Sequence, residues 1–192
     1  MRLETKRLIL RTPKLKDADD IVEGIGEYDV SKMLLVVPYP YKKKDAIEYI
    51  NKVSERLNKK TEYVFYIELK SEKKVIGNIS LGKINKLDNT ATTGSWINKK
   101  YWKKGFITEA KIAVIDFAFN KLKLEKLRTE VYKDNKASNA AQKKVGYKIE
   151  GFQIKARTSL ASKKTHDVIF YGLTKNDWVK SKAKLLKEID SK

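Results

Sequence analysis

The sequence predicts a mixed α/β domain with a partly antiparallel sheet, and three observations lead there. Apolar runs with strand character recur along the chain. Amphipathic helical runs separate some of them, and one almost wholly apolar helical run sits near the middle. The 192 residues suit one domain and suffice to bury a core.

The elements follow in chain order. "RLETKRLILRT" alternates as a strand, with Leu8 and Leu10 on one face, and Pro13 ends it. "LKDADDIVEGIGEY" reads as a helix with acids in its first turn, where the helix dipole favours them. "VVPYPY" is a loop. "KKDAIEYINKVSERLNKK" is an amphipathic helix with a stripe of Ala46, Ile47, Ile50, Val53 and Leu57. "EYVFYIEL", "KVIGNISLGKI" and "TATTGSWI" are three strands of an antiparallel meander, the last two joined by a turn at "KLDN". "TEAKIAVIDFAFNKL" is apolar on nearly every side (Ile112, Val114, Ile115, Phe117, Phe119), as a helix between two layers must be. "KLRTEVYK" is a fourth strand after the second helix. "NKASNAAQKKVG" is a short helix stopped by Gly146. "YKIEGFQIKART" and "HDVIFYGLT" close the sheet. From Asn176 a lysine-rich helix follows, expected to be loosely held.

Composition removes several chemistries. There is no cysteine, so disulfides, thiolate metal sites and a cysteine nucleophile are excluded. A single histidine, His166, leaves little for a metal cluster, and no metal is expected. No run approaches the roughly 20 apolar residues of a membrane span. The N-terminal residues lack the apolar stretch of a signal peptide, so a cytoplasmic protein is expected, with no membrane partner. The net charge of +19 points to an acidic partner such as nucleic acid, a ribosome or a polyphosphate ligand. Only six of the 43 basic residues are arginine, so the charge suits general attraction more than base reading. A solvated lysine-rich surface is the alternative.

The stretch "WINKKYWKKGFITEA", residues 96–110, joins a strand end to the apolar helix. Lys103, Lys104, Gly105, Phe106 and Ile107 form the turn. A helix N-terminus offers free N–H groups and a positive dipole end, and glycine admits close approach. The turn therefore reads either as a phosphate cradle or as a plain turn with solvated lysines. It is neither a P-loop nor a dinucleotide fingerprint, which need more glycines.

Four segments, in order and over residues 3–178, resemble the GCN5-related N-acetyltransferases (GNAT), RimJ/RimL-like group. They are "LETKRLILRTPKLKDADDI", "WINKKYWKKGFITEA", "NKASNAAQKKVGYKIEG" and "HDVIFYGLTKNDW". The resemblance implies a central, twisted, mostly antiparallel sheet of about seven strands with flanking helices. It implies one domain over residues 1–178, with 179–192 as a helical tail. It also implies acetyl-CoA, its pyrophosphate held by Trp102, Lys103, Lys104, Gly105, Phe106, Ile107 and Thr108. Ile107 stands where the group has Gly or Ala. The backbone from Ser95 through Trp96 and Ile97 to Asn98 would pair with the pantetheine arm. Asn135 and Ser138 match an Asn-x-x-Ser element, Asn135 holding the cofactor and Ser138 assisting the leaving thiolate. From the residues alone, Asn135 is a helix cap and Ser138 a surface serine.

The implied reaction is direct acetyl transfer to a primary amine without a covalent enzyme intermediate. It needs an oxyanion donor, for which a backbone N–H near residues 96–98 serves, and a base. The group's carboxylate aligns with Arg157, and the only acid in that strand is Glu150. His166 is the one side chain with an ordinary pKa near neutrality. Glu23, Glu27 and Glu109 are further acids, Glu109 in a structural position. A weak base suits an α-amine, with a pKa of about 7.7–8.0, better than lysine at about 10.4. An N-terminal α-amine of a ribosomal protein is thus the expected acceptor, with ribosome association, in a monomer or homodimer. A coenzyme A-binding sensor without catalysis and a lysine-rich nucleic-acid module are the competing readings.

Overall fold

The computed structural model describes residues 1–190. The first apolar run folds as two strands, β1 (Arg2–Glu4) and β2 (Leu8–Arg11). Thr5 turns the chain between them. Its N–H donates to Leu8 O at 3.0 Å, and Leu8 N–H donates back to Thr5 Oγ1 at 3.1 Å. Leu8 and Leu10 are fully buried on one face, as the alternation requires. This extra hairpin brings the sheet to eight strands, against about seven expected.

The helical run after β2 breaks into a 3-10 turn (Leu15–Asp17), α1 (Ala18–Ile25) and α2 (Tyr28–Ser31). Asp17 fixes the entry. Its buried carboxylate accepts from Lys14 N–H at 2.7 Å and from both Arg11 terminal nitrogens at 2.7 and 2.9 Å. Arg11 Nε also donates to Glu68 on the third strand at 2.6 Å, so the buried charges are mutually satisfied. In α3 (Lys43–Asn58), Ala46, Ile50 and Val53 are buried. Ile47 departs from the expected stripe and is exposed. One residue along a helix turns by about 100°, which carries Ile47 off the face that Ala46 presents.

The meander β3 (Tyr63–Leu69), β4 (Lys74–Asn85) and β5 (Thr90–Ile97) is antiparallel throughout. Both faces of β3 are covered. Val64 and Tyr66 pack with Ile21, Ile50 and Val53 of α1 and α3, whereas Phe65, Ile67 and Leu69 join the larger core on the other face. A run buried on both sides loses its polar alternation, which is why "YVFYIEL" reads as continuously apolar.

α4 (Phe106–Asp116) crosses that larger face and ends in a wider π turn, Phe117–Lys121. Val114, Ile115, Ala118 and Phe119 are buried against the sheet. The crossover makes the next strand, β6 (Lys126–Tyr132), parallel to β5. α5 (Lys136–Lys144) follows, and Gly146 at φ +95° ends its turn. The last strands, β7 (Lys148–Thr158) and β8 (Thr165–Thr174), form a long hairpin, but β8 inserts beside β6 and leaves β7 at the edge. α6 (Lys175–Asp190) was expected to be loose. It sends Trp178 and Leu185 into the larger core, and Trp178 Nε1 donates to Asp116 Oδ1 at 2.8 Å. Among the described residues no helix is long and apolar enough to cross a membrane.

Candidate functional site

The site begins where the parallel pair β5–β6, the one such pair among the described residues, comes apart. β5 and β6 pair only at Thr90–Lys126, Ala91–Leu127 and Thr92–Arg128. Beyond that point threonine hydroxyls replace the ladder. Thr129 Oγ1 donates to Thr93 O at 2.8 Å, and Thr93 Oγ1 lies 3.0 Å from Tyr147 Oη. A side chain that takes the backbone's acceptor ends strand pairing there. The strands then diverge around a cleft of about 1330 Å³.

The free edge of β5 faces this gap. Asn98 N–H donates to Ile76 O on β4 at 2.8 Å. In an antiparallel ladder the bonding direction alternates, so Trp96 also faces β4 while Thr93, Ser95 and Ile97 turn their backbone groups to the gap. Trp102 Nε1 occupies the Ile97 carbonyl at 2.9 Å. The Ser95 groups and the Ile97 N–H remain directed into the cleft. The Trp96 indole goes elsewhere, into the smaller core against Gly24.

At one end of the cleft lies the N-terminus of α4. Gly105, at φ +78°, holds a left-handed conformation that glycine adopts without strain. Lys103 is also left-handed, at φ +60°. No side chain caps this helix, so its first N–H groups stay open. Successive N–H groups in such turns make an anion-binding concavity, and the helix dipole adds to it. Arg7 completes the surroundings. Its guanidinium donates to Lys104 O at 3.0 Å and lies over the Phe106 ring at 4.3 Å. Glu109 holds Arg7 in place, accepting from Arg7 N–H at 2.8 Å, Arg7 Nε at 2.6 Å and Thr5 Oγ1 at 2.6 Å. Burial opposes the charge on Glu109, yet these hydrogen bonds win and hold its pKa below the usual carboxylate value.

The other loop lysines serve differently. Lys99 Nζ lies 2.6 Å from Asp29 and 3.9 Å from Glu27, and Lys100 Nζ lies 2.6 Å from Glu23. Hydrogen bonds from Lys32 and then Lys99 lower Asp29 to about 2. The loop is thereby pinned to α1 and α2, and Glu23 and Glu27 are engaged as ion-pair partners.

The far wall comes from β6, α5 and β8. Glu130 on β6 lines the cleft. Its Oε2 lies 3.0 Å from Arg157 Nε, but the approach lacks hydrogen-bond geometry, and this buried oxygen has no hydrogen-bond partner. Asn135 and Ser138 both line the cleft. Asn135 is also the cap of α5, its Oδ1 accepting from Ser138 N–H at 3.1 Å. Gln142, one turn beyond Ser138, and Lys111 of α4 meet across the wall, with Lys111 Nζ donating to Gln142 Oε1 at 2.9 Å.

The fold therefore gathers Trp96, Ile97, Trp102, Lys103, Gly105, Phe106, Ile107, Asn135 and Ser138 around one cleft. Asn98, Lys104 and Thr108 are not among its lining residues. Asn98 Oδ1 instead accepts from Lys100 N–H, and the Lys104 ammonium lies over the Tyr101 ring at 5.3 Å. His166 is not among the lining residues; it stacks at 4.1 Å on Tyr132, which is, and its Nδ1 lies 3.2 Å from Asp134. Its position gives no support to a proton-transfer role. Sequence reasoning missed Arg7, Lys111, Gln142 and Glu130. The alternation of Arg128 and Glu130 along β6 was the one local signal of a polar lip.

Comparison with known proteins gives a consistent picture. Residues 7–148 match the sequence model of the acetyltransferase (GNAT) domain. An uncharacterized N-acetyltransferase, p20 of Bacillus licheniformis, is 29% identical over 153 residues, covering 78% of this chain and 83% of that protein. The ribosomal-protein-S5-alanine acetyltransferase of Vibrio fischeri superposes with a TM-score of 0.81 at 19% identity, covering 93% of this chain and 98% of the other. The microcin C7 self-immunity acetyltransferase MccE, solved with acetyl-CoA and AMP, superposes with a TM-score of 0.78 at 21% identity, covering 88% and 93%.

Proposed function

Since the chain belongs to the GNAT acetyltransferase family and is an N-acetyltransferase, we propose that it works as a RimJ/RimL-like enzyme, acetylating protein N-terminal α-amines from acetyl-CoA with Glu130 as the general base. The observation that carries this reading is the unzipped half of β5–β6, with the Gly105 turn at one end and the Glu130 carboxylate, its Oε2 3.0 Å from Arg157 Nε, on the opposite wall.

Acetyl-CoA supplies the thioester whose acetyl group is transferred. The open N–H groups after Gly105, with Lys103 and Arg7 nearby, bind the pyrophosphate. The Ser95 backbone pairs with the pantetheine arm as a strand edge pairs with a peptide. The Ile97 N–H donates to the acetyl carbonyl oxygen. Asn98, whose N–H is already bonded to Ile76, is not the donor. Glu130 takes the proton of the attacking amine, in place of the carboxylate that Arg157 replaces on β7. Ser138 donates to the departing sulfur.

Three observations support an α-amine acceptor. A carboxylate base is weak against lysine but adequate for an amine that is about a tenth neutral at pH 7. The net charge of +19 favours an acceptor carried on a polyanionic particle such as a ribosome. The similarity to a ribosomal-protein acetyltransferase supports the same class.

The test has two stages. Acetyl-CoA at about 100 times its Kd adds about 2.7 kcal/mol and raises Tm by roughly 5–10 °C. Thiol release is then followed with a peptide bearing a free α-amine and with the same peptide blocked there but carrying an internal lysine. The free α-amine is the expected substrate, and Glu130→Gln lowers kcat by about 10²–10⁴ with little change in acetyl-CoA affinity. Unchanged turnover in that variant removes Glu130 from the role. Preference for the blocked peptide removes the α-amine.

A further inference from the structure

The mechanism leaves one buried nucleophile unused. Lys111 is only 4% exposed, although it is a lysine, and it lines the cleft. Its Nζ has a neutral partner, Gln142 Oε1 at 2.9 Å, and the Tyr147 ring lies 6.0 Å away. Tyr147 is itself engaged through its hydroxyl with Thr93. Buried ammonium groups are costly unless paired with a charge, and lysines are almost never fully buried without one. The chain thus keeps an amine in a buried wall of its cleft, and among the described residues no carboxylate forms an ion pair with it.

From this geometry we infer that Lys111 is a self-acetylation site, taking an acetyl group from acetyl-CoA bound in the chain's own cleft. The inference rests on the acetyl-CoA reading of that cleft. Ser138 and Gln142 are one helical turn apart on the same face of α5, with Cβ atoms about 5–6 Å apart. Lys111 Nζ, bonded to Gln142, therefore belongs to the same wall of the cleft as Ser138, the residue assigned above to the thioester sulfur. In the transfer the Nζ lone pair forms a C–N bond to the acetyl carbonyl carbon, and the C–S bond breaks. The amine loses a proton, and coenzyme A leaves as the free thiol. Two features favour the step. Burial alone lowers the Lys111 pKa to about 8, so about a tenth is already neutral at pH 7. The amide product also replaces a buried charge with a neutral group, which removes the desolvation cost.

The test compares two acetyl donors on the folded, full-length chain without any acceptor. Acetyl-CoA is one, and a small activated acetyl ester that reacts from solvent is the other. Peptide mapping by mass spectrometry follows each lysine with time. With the ester, exposed lysines such as Lys100 are modified first and Lys111 last. With acetyl-CoA the order reverses, and Lys111 gains one acetyl group at least about tenfold faster than exposed lysines, a difference of about 1.4 kcal/mol in barrier. Lys111→Met loses the fast phase and still shows the acetyl-CoA thermal shift. If acetyl-CoA binds by thermal shift yet Lys111 is modified no faster than exposed lysines, the self-acetylation inference is overturned and the cofactor reading stands. If acetyl-CoA does not bind, the cofactor reading fails and takes the inference with it.

Discussion

The two halves of the β5–β6 pair share one pair of strands and behave in opposite ways. In the first half Ala91 and Leu127 face each other fully buried, and three residue pairs zip in register. In the second half the same strands part, and the β5 edge from Ser95 to Ile97 lines a cleft. No proline or bulge separates the halves between β5 and β6. The change occurs at Thr93 and Thr129, where the Thr129 hydroxyl donates to the Thr93 carbonyl and the Thr93 hydroxyl turns to Tyr147. Parallel pairing is thus continued or ended by which group, amide or hydroxyl, reaches the acceptor first. The open half is stable because its outer supports are complete. β4 holds β5 from one side through the Asn98–Ile76 bond, and β8 pairs with β6 along its whole length.

The largest effect is expected from crowding the support of the open half. Gly77 on β4 lies opposite Ile97, and a Cβ there would stand 2.4 Å from the Trp96 carbonyl oxygen. That obstacle is backbone, so β5 itself must shift. Gly77→Ala should cost about 1–3 kcal/mol, the usual range for overpacking, and lower Tm by roughly 2–12 °C. Acetyl-CoA affinity should fall as well, because the displaced residues are the ones that face the cleft. A variant with wild-type Tm and wild-type affinity would show that the open half tolerates movement of β5, and that the cleft does not depend on this support.

Next comes the roof over the open half. Glu109 ties the first turn of α4 to the β1–β2 turn through Thr5 and Arg7. Its folded pKa is depressed, so the native state binds fewer protons than the unfolded one as pH falls past the ordinary glutamate value of 4.5. Stability from this group is therefore fully present above pH 4.5 and is lost as pH drops through the lower folded pKa. Glu109→Gln should cost about 1–2 kcal/mol at pH 7, reduced from a fully buried charged hydrogen bond because Arg7 is partly exposed. The Tm gap between variant and wild type should narrow when both are melted near pH 3. A gap independent of pH would mean that shape, and not charge, fixes the roof.

Much of this architecture was legible in the sequence, and the boundary of legibility has a physical basis. Periodicity located the three meander strands and the buried α4, because each buries a face set by its own residues, and it located β8 of the closing hairpin for the same reason. The Gly105 turn was legible because an anion site at a helix start is built from consecutive residues. Arg7 was not, since it reaches the turn from the far end of the chain and nothing near it signals the contact. Glu130 was hidden for a related reason. Its role as a lip residue depends on β8, and not β7, lying next to β6, and strand order is not written in local patterns. Lys111 was not singled out, because its partner Gln142 comes from α5 and nothing local to α4 signals the contact. The split of the first run into β1 and β2 was missed because Thr5 makes a turn with its hydroxyl, without the glycine or proline that marks most turns.

The smallest effect is the control that gives the comparison its meaning. Gly82 lies on the same strand as Gly77 but opposite Thr92, in the closed half. A Cβ at Gly82 would find its nearest neighbours at 3.5 Å, the Glu62 Oε1 atom, and at 3.6 Å, the Thr92 Oγ1 atom. Both are side-chain atoms at ordinary contact distance. Gly82→Ala should thus leave stability within about 0.5 kcal/mol of wild type, or raise it slightly by restricting the unfolded chain. Thermal melts of the two alanine variants side by side are the measurement. If Gly82→Ala is as damaging as Gly77→Ala, the cost is a general intolerance of β4 to side chains, and the contrast between the halves falls. If only Gly77→Ala is damaging, the strain localises to the stretch where β5 is held from one side alone. That is the stretch a bound pantetheine arm would complete, so acetyl-CoA should recover part of the Gly77→Ala loss in Tm and add no special increment to Gly82→Ala.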